Sequence, residues 1–443
     1  MVNLFEYFNS DTRELYETLR ISGHHDETIV LVDDGFLPEG IRSPYQFFAN
    51  YQVPDKQRAR YFNEVPVPRF WEIEGNNDEA WVKDMSDRRA MIYFHPSEKR
   101  RLVSHVEWLN RKGQLQYVDH YNQHGFRYAQ TVYDLTGNMI FRRYLDQQGN
   151  EVIYENFVAS SVILTWKGEQ YHFSDSIDFY TFFLKAIDVN LENIVINSLS
   201  TPFLILYQLG IPGNDILFWQ ETSYGEIPGN MRVILEKDTP RHCRILIPER
   251  EEYENIYAQL TDEERQFIAH SGYLYNYQSE NNYTMNILTM TNSDQIENLE
   301  AIVQSCPFAQ FHIGAVTEMS SKLTAFERYA NVHLYQAIEL DTVETVYRKC
   351  DVYLDINNGG EIINAVKKAF DFNMLILGYS DIAHNRRFTA PENLFEKEKD
   401  ASALIQALKD INLKKRYFKL RLQYQQDHAN ETTIEAFNQI FKA

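Results

Sequence analysis

The stretch Asp351–Val366 reads DVYLDINNGGEIINAV. An apolar run, an Asn-Gly turn and a helical pattern follow one another, the order of strand, tight loop and crossover helix in a parallel sheet. The rhythm extends outward. NILTM, FAQFHIGA, NVHLYQA, VYLDI and NMLILGY are strand-like, and helical patterns lie between them at Ile296–Gln304, Glu318–Phe326, Thr342–Lys349 and Glu361–Phe370. Such alternation implies a doubly wound α/β domain, placed at 276–425, followed by a C-terminal helix at 426–443. From Ala401 to Phe441 the spacing is helical, with Leu413, Tyr417, Leu420 and Tyr424 on one face, and the aromatic residues there read as core packing.

A second α/β region is interrupted. Residues 11–20 have helical spacing, and TIVLVDDGFLPEG (Thr28–Gly40) reads as a buried strand running into a Gly/Pro loop. After residue 170 come a helix near Asp178–Ala186, then NIVIN, a helix opened by STP, DILFWQE, a helix from GNM, and CRILIP. These pieces make a discontinuous Rossmann-like domain of 1–61 and 171–275, and the polar, Tyr-rich passage Gly272–Tyr283 suits a linker. Between its halves LNRKG, YNQHG, YDLTG and LDQQG set Gly113, Gly125, Gly137 and Gly149 at a regular period. Each has Asn or Asp three positions earlier: Asn110, Asn122, Asp134 and Asp146. That is the chemistry of a type I turn closed by a left-handed Gly. With β-prone segments between the turns, 62–170 reads as an inserted antiparallel meander, and VILTWKGEQYHF (Val162–Phe173) is a candidate extension.

A chain of 443 residues exceeds one core, and 29 Tyr and 28 Phe supply large rings to bury. The net charge of -20 argues against nucleic acid or an anionic membrane as the main partner. Cys243, Cys306 and Cys350 form no CxxC and read as core residues in a reducing compartment. The start lacks a signal-peptide pattern, and the longest apolar stretch, Asn193–Ile211, is broken by Asn197, Pro202 and Gln208. The expectation is a soluble, cytoplasmic chain with no integral membrane segment. HExxH, GxxxxGK[ST] and GxGxxG are absent, and no cofactor or metal is expected.

Ligands of doubly wound sheets bind beyond the carboxyl ends of the strands. A cleft between the two domains is therefore expected. Asn357, Asn358, Gly359, Gly360 and Glu361 of the NNGGE loop, with His384 of AHNR, would line it from one side, and Asp34, Gly35 and Glu221 from the other. N–H groups at the start of a Glu361 helix suit an anion or a sugar hydroxyl; equally, the two Gly residues serve the fold, and Glu361 repels phosphate. Asp34 and Glu221 as a glycosidase pair find no support in their spacing. The adjacent His24 and His25 read as exposed, and no partner for His384 is visible. The edge of the meander offers a place for strand addition by a partner or an extended peptide.

Several stretches carry a family resemblance over essentially the whole chain: DDGFLPEG-IRSPYQFF, DILFWQE, EIPGNMR, LDINNGGEIINAV, LILGY and AHNR. The C-terminal half resembles retaining glycosyltransferases of the GT-B fold. Within them the chain resembles the stabilising, chaperone-like subunit of the two-protein O-GlcNAc transferase serving the accessory Sec system of Gram-positive bacteria. Active members of the fold read roughly E-G-F-G-x-x-x-x-E-A at the loop and helix. With Ala365 on the motif's Ala, the two carboxylates fall on Ile356 and Asn364. Their G-R-x-x-x-x-K pattern after the first strand falls on TNSDQIEN, placing Asn292 and Glu297 at the cations.

Transfer from a nucleotide sugar builds charge on a departing diphosphate, and losing one stabilising donor costs roughly 10²–10³ in rate. The resemblance and the missing cations together imply a non-catalytic partner of a catalytic O-GlcNAc transferase subunit in a hetero-oligomer. The resemblance also implies help in holding a Ser/Thr-rich adhesin polypeptide. Two other readings are an active UDP-sugar transferase using Lys322, Arg328 and Arg386 as cations, and a pure assembly module that binds through its meander.

Overall fold

A computed structural model describes residues 1–50, 57–76, 79–96, 101–237, 239–397 and 401–442. The chain divides into two compact units: residues 1–14, 25–247 and 251–270, and residues 15–24, 248–250 and 271–443.

In the first unit, seven parallel strands stand in the spatial order Ile268–His270, His242–Ile247, Asn214–Phe218, Ile194–Ile196, Val2–Phe5, Glu27–Val30 and Ile41–Arg42. Val, Ile and Leu runs fill both faces, since helices cover a parallel sheet on each side. Ile29, Val195, Ile196, Leu217 and Ile245 are fully buried. The order reverses between Val2–Phe5 and Ile194–Ile196, a Rossmann-type switch point. Asp215 and Arg241 brace the sheet near it. Arg241 Nε is 2.6 Å from Asp215 Oδ2, both side chains are buried, and Asp215 Oδ1 accepts the Ile194 N–H.

The insertion forms one ten-stranded antiparallel sheet from Glu72–Gly75 to Glu169–Phe173, each strand pairing with its neighbours in sequence. Gly113, Gly125, Gly137 and Gly149 all have positive φ, between 78° and 89°. Each donates its N–H to the carbonyl of the Asn or Asp three positions before it, at 2.9–3.2 Å. The turn chemistry thus sets the hairpins as expected. Val162–Phe173 belongs to the sheet, as two further strands.

The second unit carries six parallel strands in the order Val332–Tyr335, Gln310–Ala315, Asn286–Thr291, Val352–Asp355, Leu375–Tyr379 and Leu394–Phe395. Its switch point lies between Asn286–Thr291 and Val352–Asp355. All five strand-like segments of the sequence are strands here.

Three details differ from expectation. The helix read from Glu361 begins at Ala365 and ends at Asp371. Ile363 and Asn364 both hold φ near +50°, so the chain turns before the helix starts. Residues 401–442 form three helices, Ser402–Leu413, Lys415–His428 and Ile434–Lys442. The break at Lys414 resets the phase of the apolar stripe. Leu413 (74 % exposed) and Leu420 (45 %) therefore face outward, while Phe418, Leu422 and Gln425 are buried. The passage Gly272–Tyr283 lacks regular structure but is packed in place. Tyr273 and Leu274 are buried, and Tyr273 exchanges backbone hydrogen bonds with Asn430 and Thr432.

Candidate functional site

The second unit assembles most of the sequence-derived site at its switch point. Asp355 ends its strand fully buried, and the Asn357–Glu361 loop follows. The loop from the neighbouring strand, Asn292–Asn298, lies against it through a two-sided backbone bridge. Glu297 N–H donates to Ile356 O at 2.9 Å and Asn358 N–H to Gln295 O at 2.9 Å. Asn357 is buried, and Thr291 Oγ1 donates to its Oδ1 at 2.8 Å. A Cβ on Gly359 would meet Asn292 Oδ1, so a larger residue there would make the Asn292 side chain move aside.

His384 explains how the loop keeps its shape. Its Nδ1 lies 2.5 Å from Asp355 Oδ1, and its Nε2 lies 2.6 Å from the Gly359 carbonyl oxygen. The hydrogen bond to Asp355 and, behind it, that to Gly359 raise its pKa to about 9 against a burial penalty. His384 is therefore an imidazolium at neutral pH, and both N–H groups donate inward. The Asp355 carboxylate also accepts the His384 backbone N–H at 2.8 Å. The partner that the sequence did not reveal is the acid of VYLDI itself.

The charges at the rim are equally committed. Glu297, in the place where the family pattern carries a cation, accepts from Asn358 Nδ2 at 2.8 Å and pairs with Lys397 at 3.0 Å. The Asn358 hydrogen bond and Lys397 hold its carboxyl below the usual range. Glu361 does not open the helix; its Oε1 accepts the Val366 N–H at 2.9 Å, capping from four residues upstream of Ala365. Ile356 is buried and Asn364 holds a left-handed backbone before the helix, so no carboxylate stands at either motif position. Among the described residues, His384 touches this loop and Lys397 the neighbouring Asn292–Asn298 loop, and each already serves a carboxylate. Of the alternative cations, Arg328 pairs with Glu300 at 2.5 Å and Arg386 donates to the Ser380 carbonyl. Lys322 and Arg328 line a groove that runs along the Asn292–Asn298 loop, with Asp294, Ile296 and Asn298 in the same wall.

Asp34, Gly35 and Glu221 lie in the first unit. Asp34 is exposed and accepts the Phe36 N–H at 2.8 Å; Glu221 is exposed and accepts from Ser198 Oγ at 2.7 Å. Gly35 is buried with φ +85°, and a Cβ there would clash with Tyr128 and the Tyr121 carbonyl. Its neighbour Asp33 accepts from the Gly35 N–H and Ser43 Oγ, and burial raises its pKa to about 6. His24, expected as exposed, is half-buried, its Nε2 2.9 Å from Asn438 Oδ1. Cys306 and Cys350 are buried, and burial pushes the Cys350 thiol up to about 12. Among the described residues no group of acids, His and Cys is placed to hold a metal, and no helix is long and apolar enough to cross a membrane.

Four domain families match in succession: the GtfB N-terminal domain over residues 2–48, the GtfB middle domain over 71–174, the GtfB third domain over 176–259 and the GftB/GlyA-F C-terminal domain over 287–425. A Streptococcus agalactiae protein named UDP-N-acetylglucosamine–peptide N-acetylglucosaminyltransferase stabilizing protein GtfB is 37% identical over 440 residues, 99% of this chain and 98% of that one. The chain belongs to the GtfB family. The middle-domain match falls on the ten-stranded meander. A chain of a crystallised GtfA/B complex bound to UDP and GlcNAc is similar at 38% identity and TM-score 0.93, covering 100% of this chain and 99% of that one. The pneumococcal O-GlcNAc transferase GtfA, solved with UDP and GlcNAc, matches at 14% identity and TM-score 0.52 over 100% of this chain and 98% of its own. That likeness is one of fold: the architecture is GT-B-like. The GtfB relative carries the name of a stabilizing protein, not of a transferase, in agreement with a non-catalytic subunit.

Proposed function

We propose that this chain binds and stabilises a catalytic O-GlcNAc transferase subunit, without transferring sugar itself, and helps hold the Ser/Thr-rich adhesin polypeptide that is modified. The observation that carries the reading is Glu297. A diphosphate leaving group needs cations at the switch point, and this loop presents a carboxylate bound to Asn358 and Lys397. Family membership supplies the partner, since the relatives are named for stabilizing that transferase.

An acceptor with many equivalent hydroxyls gains from a second, weak contact, because tethering raises its effective concentration at the active partner. Asn292, the Asn357–Glu361 loop and His384 in one unit, and Asp34, Gly35 and Glu221 in the other, are the proposed acceptor or sugar contacts. In this reading the chain works in the cytoplasm, and any membrane association is made through its complex.

The test is donor turnover with acceptor present. The purified chain alone should transfer no GlcNAc from UDP-GlcNAc; measurable transfer ends the proposal. Adding the catalytic subunit should give a co-purifying complex. Asn358→Ala with Glu361→Ala should then lower acceptor modification while leaving complex formation intact. Loss of the complex instead would make the loop structural.

A further inference from the structure

The face of the meander carries a groove that the switch-point site does not use. Along Leu115–Tyr121 the pleat sends Tyr117, Asp119 and Tyr121 to one side. Trp108 pairs directly with Tyr117 on the strand before, and Arg127 with Tyr121 on the strand after. With Trp71, Arg89 and Arg60 they wall a groove of about 540 Å³, with Pro66 and Pro68 exposed at its rim.

The walls are built, not incidental. The Trp108 and Tyr117 rings stack with centroids 5.9 Å apart, and Trp71 stands 6.5 Å from Trp108. Asp119 is buried and both of its oxygens are taken. Trp108 Nε1 donates to Oδ2 at 2.9 Å, and Arg127 and Gln130 donate to Oδ1 at 3.0 and 2.7 Å. Arg60 gives its N–H groups to the carbonyls of Glu64 and Gly125. Arg89 lies 5.2 Å over the Trp71 ring, its buried Nε has no acceptor, and among the described residues it has no ion pair.

Three guanidinium groups thus face one carboxylate, in a chain whose net charge is -20. Gln116 and the Tyr117 and Tyr121 hydroxyls can donate or accept, while the guanidinium N–H groups left free on the wall only donate. The occupant must bring acceptors, and the rings ask for an apolar body beside them. Trp, Tyr and Arg are also the residues that dominate protein–protein hot spots. We propose that this groove docks an extended acidic segment of a partner polypeptide, an apolar side chain resting on Trp71 and Trp108 and carboxylates on Arg89 and Arg60.

The test titrates the full-length chain with acetyl-Glu-Asp-Leu-Phe-Asp-Glu-amide and with its Gln/Asn counterpart, reading Trp fluorescence. The acidic peptide should bind roughly tenfold more tightly at low ionic strength, and added salt should erase the difference. Arg89→Gln and Trp71→Ala should each weaken it roughly tenfold. Arg88→Gln, whose side chain lies over Trp81 instead, should change nothing. Equal binding of the two peptides, no binding of either, or displacement of the acidic peptide by UMP or free GlcNAc overturns the proposal. If Arg89→Gln fails to fold, Arg89→Lys replaces it and should lie between the two.

Discussion

His384 is a side chain of catalytic type used to hold a shape. Its folded pKa near 9 lies above the ordinary value of 6.5, so the folded state binds the proton more tightly. The stabilisation is full below about pH 6.5 and is lost as pH rises through about 9. Denaturant midpoints should therefore fall between pH 7 and 10. His384→Gln, with no proton to lose, should show a shallower slope and cost about 1.5–3 kcal/mol near pH 6. Asp33 is raised from 3.8 to about 6 by burial, so its contribution is greatest below about pH 4 and fades as pH rises through 6. Asp33→Asn should remove that slope and be at least as stable as the parent at pH 7.5. His384 was legible as a loop residue near strand ends. Its contacts to Asp355 and Gly359 were not, because strand order, not sequence spacing, brings them together.

At the scale of elements, local chemistry explains what could be read. Four of the nine meander turns are specified within five residues by Asn or Asp and Gly, so those hairpins were legible from the sequence alone. Gly137 and Gly35 share a positive φ but differ in surroundings. Gly137→Ala meets open space and should cost about 1 kcal/mol, the strain of the left-handed region alone. Gly35→Ala adds a clash with Tyr128 and the Tyr121 carbonyl and should cost about 3 kcal/mol, both read from urea midpoints. The start of the helix at Ala365 was misread for the converse reason. Ile362, Ile363 and Val366 fit a helical face, and nothing local announces that Ile363 and Asn364 turn left-handed. The Asp215–Arg241 pair also escaped notice, since its worth lies in burial. Arg241→Ala leaves Asp215 buried and uncompensated and should cost about 3–5 kcal/mol.

For the whole molecule, the sheet of the second unit was legible because buried strands and crossover helices alternate with little interruption. In the first unit, by contrast, the short strands Val2–Phe5, Ile41–Arg42 and Ile268–His270 went unread around an insertion that splits the pattern. Recruitment by a partner left no comparable trace, since an interface has no period. If the chain binds a catalytic subunit only when folded, its stability should rise with the concentration of that subunit. The rise is about 2.7 kcal/mol at one hundred times the dissociation constant, read as a shift in the unfolding midpoint of the mixture. No shift would separate this chain from the role proposed for it.

The place of Val2–Phe5 in its sheet has a consequence for biosynthesis. It is an interior strand, flanked by Glu27–Val30 and by Ile194–Ile196, and the second neighbour is translated only after the entire meander. The meander pairs each strand with the one just made, so it can close as it leaves the ribosome. Val2–Phe5 meanwhile waits with one edge bare. Nascent chains stalled or truncated near residue 175 should hold a finished antiparallel sheet beside an open, sticky strand, and should aggregate through it.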